Sequence, residues 1–203
     1  MKALAVNYNT PDLLDRMLAG FRALYDIPML LIDGSDERNF RRTQAVVEKY
    51  YNVEIHHFAY NIHHGPGMAY GISQIADERI VVIDTDIVFI NPGVIERMDA
   101  ELPADKYGIG DVQTIDSRGF NAPKGTPYLH PALMLINRSV YERFPEPIKH
   151  GAPMIRAMEA IHKSGEDLLV LAPYITNDFR EKNKLYIAHD WQGTVKRTGG
   201  YHL

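Results

Sequence analysis

The first 91 residues alternate between short apolar runs and segments whose apolar side chains recur at helical spacing. The apolar runs are rich in β-branched residues, which is typical of strands buried on both faces. The first helical segment has a clear start, because Thr10 is a candidate N-cap and Pro11 fits the first helical position. The pattern predicts strands over residues 2–8, 28–32, 53–60 and 79–91, and helices over residues 11–25, 40–51 and 68–76.

The remainder of the chain continues this alternation less regularly. It predicts strands over residues 107–115, 132–136, 168–172 and 186–188, and helices over residues 92–99, 139–144 and 152–163. A Gly- and Pro-rich segment, residues 120–130, is expected to form a loop over the site, and the polar tail 192–203 is expected to be mobile. The order of elements indicates an α/β fold with a mostly parallel, doubly wound sheet and helices on both faces. No repeat or linker divides the 203 residues, so we expect a single domain.

The last strand of the first half leads into two carboxylates, Asp84 and Asp86. Side chains two residues apart on a strand point the same way, so this pair would project together from the carboxyl end of a central strand. Two uncompensated carboxylates would repel each other and be costly to desolvate. Because the chain has no cysteine, these oxygens suit a hard cation such as Mn²⁺ or Mg²⁺. The alternative is an acidic pair that caps the following turn.

Polar segments follow each of the first four predicted strands. In a parallel sheet these segments fall at the same edge, and ligands of open α/β sheets bind in the crevice there. We therefore expect one site built from residues 7–9, 33–36, 61–67 and 84–86.

Composition restricts the possible partners and surroundings. The net charge of -4 gives no electrostatic case for nucleic acid. The absence of cysteine excludes disulfides and thiolate metal sites and fits a reducing compartment. The N-terminal residues turn polar too early for a signal peptide, and no apolar run is long enough for a transmembrane segment. We therefore expect a soluble, cytoplasmic protein.

Five short blocks carry a resemblance that covers nearly the whole chain: residues 5–9, 31–35, 61–69, 84–86 and 130–138. The second block ends in Asp-Gly-Ser, the third contains Asn61 with two glycines, and the fourth is an Asp-x-Asp motif. In this order the blocks resemble the GT-A glycosyltransferases, particularly family 2. The resemblance implies the GT-A fold, with residues 1–91 as the nucleotide-sugar-binding half and residues 92–203 as the acceptor-binding half.

The resemblance also implies an activity. The expected enzyme is a metal-dependent transferase that moves a hexosyl or deoxyhexosyl group from a nucleotide-diphospho sugar, expected to be a UDP-sugar, to a sugar or glycan acceptor. Asp84 would face the ribose or a metal-bound water, Asp86 would ligate Mn²⁺ or Mg²⁺, and His189 would be the third ligand. The remaining expected donor contacts are Asn7, Tyr8, Asn9, Asp33, His64, Gly65 and Thr85. Each of three residues has an alternative interpretation: Gly65 as part of a tight turn, Asp33 as a turn residue, and His189 as a surface histidine.

One departure from family 2 concerns the catalytic base. The family usually has a Glu-Asp pair before the helix that follows the acceptor strand, where this chain has Pro153 and Met154. A general base must reach the acceptor hydroxyl. The candidates here are His150, Glu146 and Asp111, and we name His150 with Asp84 and Asp86 as the candidate catalytic residues. The alternative for His150 is a loop residue that precedes a helix. A retaining enzyme would need no such base.

Two other functions fit parts of the sequence. Residues 84–88 match the D-x-D-x-[T/V] pattern of haloacid dehalogenase-type phosphohydrolases, in which Asp84 would be the nucleophile. That motif normally opens its domain, whereas three strand–helix units precede it here. The missing Glu-Asp pair also leaves open a non-catalytic module that binds a nucleotide sugar.

Overall fold

The computed structural model describes residues 1–175, 185–190 and 193–198. Within these residues the strands are β1 (Lys2–Asn7), β2 (Met29–Asp33), β3 (Val53–His57), β4 (Arg79–Ile83), β5 (Ile87–Phe89), β6 (Gly108–Ile115), β7 (Thr126–Asn137), β8 (Leu169–Leu171) and β9 (Ile187–His189). The helices are α1 (Pro11–Leu24), α2 (Glu37–Val47), α3 (His64–Gln74), α4 (Val94–Glu101), α5 (Arg138–Tyr141), α6 (Ile155–Ser164) and α7 (Gly193–Thr198). None of the helices in this part of the chain combines the length and apolar character needed to cross a bilayer.

A seven-stranded sheet in the order β3-β2-β1-β4-β7-β6-β8 forms the centre of the fold. Strands β1 to β4 pair in parallel, β7 is antiparallel to both β4 and β6, and β8 is parallel to β6. Six strands therefore point the same way and β7 alone is reversed. The predicted mostly parallel α/β sheet is confirmed.

Apolar side chains cover both faces of this sheet, because the central strands are apolar without alternation. On one face they meet the buried stripes of α1, α2 and α4, including Leu14, Phe21 and Met98. On the other face they meet α3 and α6, including Met68 and Met158. The expectation of helices on both faces is thereby confirmed.

The apolar run 79–91 is not one strand, and that prediction is wrong. β4 ends at Ile83, residues 84–86 turn, and the amide of Ile87 donates to the carbonyl of Asp84 at 3.3 Å. The chain then leaves the large sheet, and β5 pairs with β9 in a separate two-stranded sheet. The carboxylates consequently stand on the turn between two strands.

The expected loop 120–130 is shorter than predicted, because β7 begins at Thr126 and pairs with β6 up to Ile115. β7 contains two prolines, Pro127 and Pro131, and proline is unfavourable inside a paired strand. β4 pairs only with residues 133–137 of β7. Pro127 therefore lies where β7 is paired with β6 alone, and Pro131 lies at the irregularity where the β6–β7 register shifts. The connection between β6 and β7 is therefore confined to residues 116–125.

Part of the segment expected to be mobile is held in place. Residues 193–198 form α7, and the Arg197 guanidinium donates to Asp12 at 2.7 Å. The amide of Gly193 donates to the Asp86 carboxylate at 2.9 Å. These contacts tie the segment to α1 and to the acidic turn. Residue 192 and residues 199–203 of the predicted tail lie outside the described residues.

Candidate active site at the carboxyl edge of the sheet

A cleft of about 470 Å³ opens at the carboxyl ends of β1 and β4. It brings together most of the residues that the sequence singled out, namely Asn7, Tyr8, His64, Gly65, Asp84, Thr85, Asp86, His150 and His189. The cleft thus lies where the polar segments after parallel strands were expected to meet.

Asp84, Asp86 and His189 form a compact cluster on this cleft. One potential ligand atom from each lies within 4.8 Å of the others. His189 reaches the cluster because β9 pairs with β5 and sets His189 opposite Ile87. Its Nε2 then lies 3.1 Å from Oδ1 of Asp86. This proximity depends on pairing between segments about a hundred residues apart, which the sequence alone did not establish.

The donor set of this cluster fits a divalent cation. It offers two carboxylates and one imidazole, and the side chains of Asp86 and His189 are almost fully buried. Buried carboxylates need a compensating charge. Oxygen and imidazole ligands together suit Mn²⁺, and oxygen ligands suit Mg²⁺. Asp84, Asp86 and His189 could therefore hold either ion.

Histidines around Asp84 favour the ionised form of that carboxylate. Nε2 of His64 lies 3.1 Å from Oδ1 of Asp84. Burial alone would raise the pKa of Asp84, but His64, His189 and His130 together lower it to about 2. Burial opposes charge on His64 as well, yet Asp84 raises the pKa of His64 above its ordinary value. Asp84 is therefore ionised at neutral pH.

Asp33 and Asn9 do not line the cleft. Asp33 is fully buried, and its carboxylate accepts from the side-chain Nδ2 of Asn7 at 2.6 Å and from the Ser35 hydroxyl at 2.9 Å. Nδ1 of His57 lies 3.0 Å from the other carboxylate oxygen of Asp33. The other end of the Asn7 side chain is also engaged, since the Thr10 hydroxyl donates to its carbonyl oxygen at 2.8 Å. This network fixes the loop after β1, and it places Asp33 beneath the site.

Among the candidates for a catalytic base, only His150 lines the cleft. Its Nδ1 accepts from the backbone amide of Ala152 at 2.8 Å. This contact leaves the proton of the neutral ring on Nε2, so His150 is arranged as a donor. Asp111 instead accepts from the Gln113 side chain at 2.8 Å. Within the described residues, Asp84 and Asp86 are the carboxylates that line the cleft.

Several residues of the cleft were not singled out from the sequence. They lie on the β6–β7 side and include Gln113, Phe120, Asn121, His130 and Lys149. A signal for the first three was available, because β6 also ends at this edge of the sheet. His130 stood in the block that resembled the acceptor strand. Lys149 lay in a segment with no pattern and could not have been found.

The chain has similar solved structures but no matching family model or curated protein. Among solved structures, it is similar to a mannosyltransferase from Pyrobaculum calidifontis in complex with GDP-Man and Mn²⁺. The TM-score is 0.63 and the identity 14%, over 87% of this chain and 57% of that one.

Two further solved structures are similar. TarS of S. aureus, residues 1–349, in complex with UDP-GlcNAc, has a TM-score of 0.60 at 15% identity, over 93% of this chain and 58% of that chain. The galactosyltransferase LgtC, in complex with donor and acceptor sugar analogs, has a TM-score of 0.56 at 12% identity, over 85% and 73%. The chain spans 57% of the length of the mannosyltransferase and 58% of the length of the TarS chain. At such low identity the likeness concerns architecture, and the chain has the GT-A fold.

Proposed function

We propose that this chain is a metal-dependent glycosyltransferase. Its donor would be a nucleotide-diphospho sugar, with UDP-sugars as the first candidates, and its acceptor a sugar or glycan. The observation that carries the proposal is the cluster of Asp84, Asp86 and His189 on a cleft at the carboxyl edge of a GT-A sheet. Complexes of two structural neighbours contain GDP-Man with Mn²⁺ and UDP-GlcNAc, which supports this class of donor.

The chemistry of the transfer matches the charges in the cleft. Breaking a glycosyl–phosphate bond leaves negative charge on the departing nucleoside diphosphate, and a bound dication supplies Lewis-acid stabilisation of that charge. Asp86 and His189 are the proposed ligands, together with Asp84. His64, 3.1 Å from Asp84, holds that carboxylate in position.

The nucleoside is proposed to lie on the β1 side of the cleft. Tyr8 and Asn61 line the cleft there and offer a phenol and an amide. Asp33 and Asn7 would act indirectly, because their side chains are buried and bonded to each other. They fix the backbone that carries Tyr8.

His150 would act on the other side of the cleft. With Nδ1 bound to the Ala152 amide, Nε2–H can donate to a phosphate or hydroxyl oxygen. An inverting reaction would need the opposite tautomer of His150, since no carboxylate other than Asp84 and Asp86 lines the cleft among the described residues. A retaining reaction would not require that base.

Calorimetry tests the donor assignment. Wild-type protein is titrated with UDP-, GDP- and TDP-sugars in the presence of Mn²⁺, Mg²⁺ or a chelator. We expect binding of at least one donor that depends on the cation and is lost in Asp86→Asn. Asp190→Asn is the matched control, because Asp190 is also a carboxylate near the cluster but pairs with Arg16 at 2.7 Å and does not line the cleft. Absence of binding by every donor would refute the proposal.

Turnover assays separate the remaining alternatives. Release of nucleoside diphosphate from the donor supports a transferase. Phosphatase activity that disappears in Asp84→Asn would instead support a phosphohydrolase. Cation-dependent binding with no turnover in the presence of acceptors would support a non-catalytic nucleotide-sugar-binding module.

A further inference from the structure

Phe120 places an aromatic side chain on the cleft, and the proposed binding of the donor does not use this side chain. It lines the cleft although 64% of its surface is exposed. Single exposed aromatics are ordinary on protein surfaces, so exposure alone indicates nothing.

Hydrogen bonds hold the backbone of the turn that carries Phe120, residues 116–120. One carboxylate oxygen of Asp116 accepts from the amides of Arg118 at 2.9 Å and Phe120 at 3.0 Å. The amide of Asp116 in turn donates to the carbonyl of Phe120 at 2.8 Å. Gly119 has a φ of +89°, a conformation that favours glycine, and it packs against Ala152. The backbone from which the aromatic ring projects is therefore held in place.

The sheet order places this turn across the cleft from the proposed nucleoside side. β6 runs parallel to β1 and β4, so the turn after β6 lies at the same edge as Tyr8 and Asp84. In the order β1-β4-β7-β6, Tyr8 follows β1 on one side of Asp84, and Phe120 follows β6 on the other. A nucleotide held near β1 and the acidic cluster leaves the β6 side for the second substrate.

The groups beside Phe120 match the surface of a sugar ring. A pyranose has a face of C–H groups and a rim of hydroxyls. The negative face of an aromatic ring attracts such C–H groups, and amide and imidazole groups can bond the hydroxyls. Gln113, Asn121 and His150 line the same side of the cleft and offer those polar groups.

We propose that Phe120 is the stacking platform for a pyranose ring of the acceptor. The inference rests on the proposed glycosyl transfer and names a residue that selects its second substrate. Because hydrogen bonds already hold the backbone of the turn, binding need not order that backbone, and the ring contributes contact area.

Saturation-transfer NMR tests this inference with a panel of methyl glycosides: the α and β methyl pyranosides of glucose, galactose, mannose and N-acetylglucosamine. Spectra are recorded with UDP and Mn²⁺ present. At least one glycoside should bind wild type through its ring C–H protons. Its affinity should fall about tenfold in Phe120→Ala and be retained in Phe120→Tyr. Tyr51→Ala is the matched control, since Tyr51 is 56% exposed, lies before β3 and does not line the cleft.

Nucleotide binding is measured separately on the same variants by calorimetry. Unchanged UDP or GDP binding in Phe120→Ala, together with weakened glycoside binding, supports the inference. The inference is overturned if no glycoside of the panel binds wild type, or if Phe120→Ala binds as tightly as wild type. It is also overturned if Phe120→Ala weakens nucleotide binding instead, because the ring would then contact the base. Failure of wild type to bind any nucleotide with Mn²⁺ concerns the proposed function and is read from calorimetry alone.

Discussion

Gly65 lies in the first turn of helix α3, where the helix contacts the backbone of the loop that carries His150. A β-carbon at this position would lie 2.7 Å from the carbonyl carbon and 3.0 Å from the amide nitrogen of Ile148, and closer still to its carbonyl oxygen. Ile148 cannot move alone, because its amide donates to the carbonyl of Pro153 at 2.9 Å and closes the loop 148–153. Gly65→Ala must therefore displace this loop.

The size of the effect follows from two opposing contributions. Overpacking that forces a backbone shift costs about 1–3 kcal/mol, and replacing glycine by alanine in a helix recovers about 0.5–1 kcal/mol. We expect a net loss of about 1–2 kcal/mol in the free energy of unfolding. For a chain of this length that corresponds to a fall of roughly 2–8 °C in Tm. Donor binding should weaken as well, because His150 moves with the loop.

Thermal and urea unfolding measure the stability, and calorimetry measures donor binding. Gly151→Ala is the matched control in the same loop, since a β-carbon there would meet nothing within 4 Å. Its stability should stay within about 0.5 kcal/mol of wild type. If Gly65→Ala is as stable as Gly151→Ala but loses donor binding, the packing argument is wrong. Gly65 would then serve the close approach of a phosphate to the backbone.

Three further changes test separate parts of the structure. Tyr25→Phe should cost about 1–2 kcal/mol in urea unfolding, because the Tyr25 hydroxyl accepts two backbone amides at the start of α4; an unchanged midpoint would contradict this. His64→Ala should weaken Mn²⁺-dependent nucleotide binding about 10- to 100-fold with little change in Tm, since His64 holds Asp84; equal affinity would remove that role. The hydrogen bond from Tyr50 lowers the pKa of Asp15, so the ionised carboxylate stabilises the fold above its ordinary pKa, and this contribution is lost as the pH falls through the lowered value. The stability difference between wild type and Asp15→Asn should therefore be present at neutral pH and vanish in acid, and a difference independent of pH would refute the sign.

Local patterns in the sequence were sufficient for the sheet but not for the acidic turn. Each apolar run of β1, β2 and β4 is buried on both faces, so its composition alone marks it as a central strand. The run 79–91 is equally apolar on both sides of Asp84. Its division into β4 and β5 depends on β9, which offers β5 a partner about a hundred residues later.

Residue type and position also could not separate a ligand-facing carboxylate from a buried one. Asp33 ends β2 and Asp84 directly follows β4, at the same edge of the parallel sheet. Asp33 is enclosed by Asn7, Ser35 and His57, whereas Asp84 faces the cleft. The difference arises from how neighbouring loops pack, and no single-sequence pattern carries that information.

The sequence by itself determined the order of most strands and helices, the mostly parallel sheet, and the edge at which polar segments meet. These features follow from periodicity and chain direction, which are local properties. The tertiary structure decided that His189 joins Asp84 and Asp86, that Asp33 lies beneath the cleft, and that Phe120 faces it. Those placements depend on pairing and packing between distant segments, and they turn an acidic pair into a candidate active site with two distinct sides.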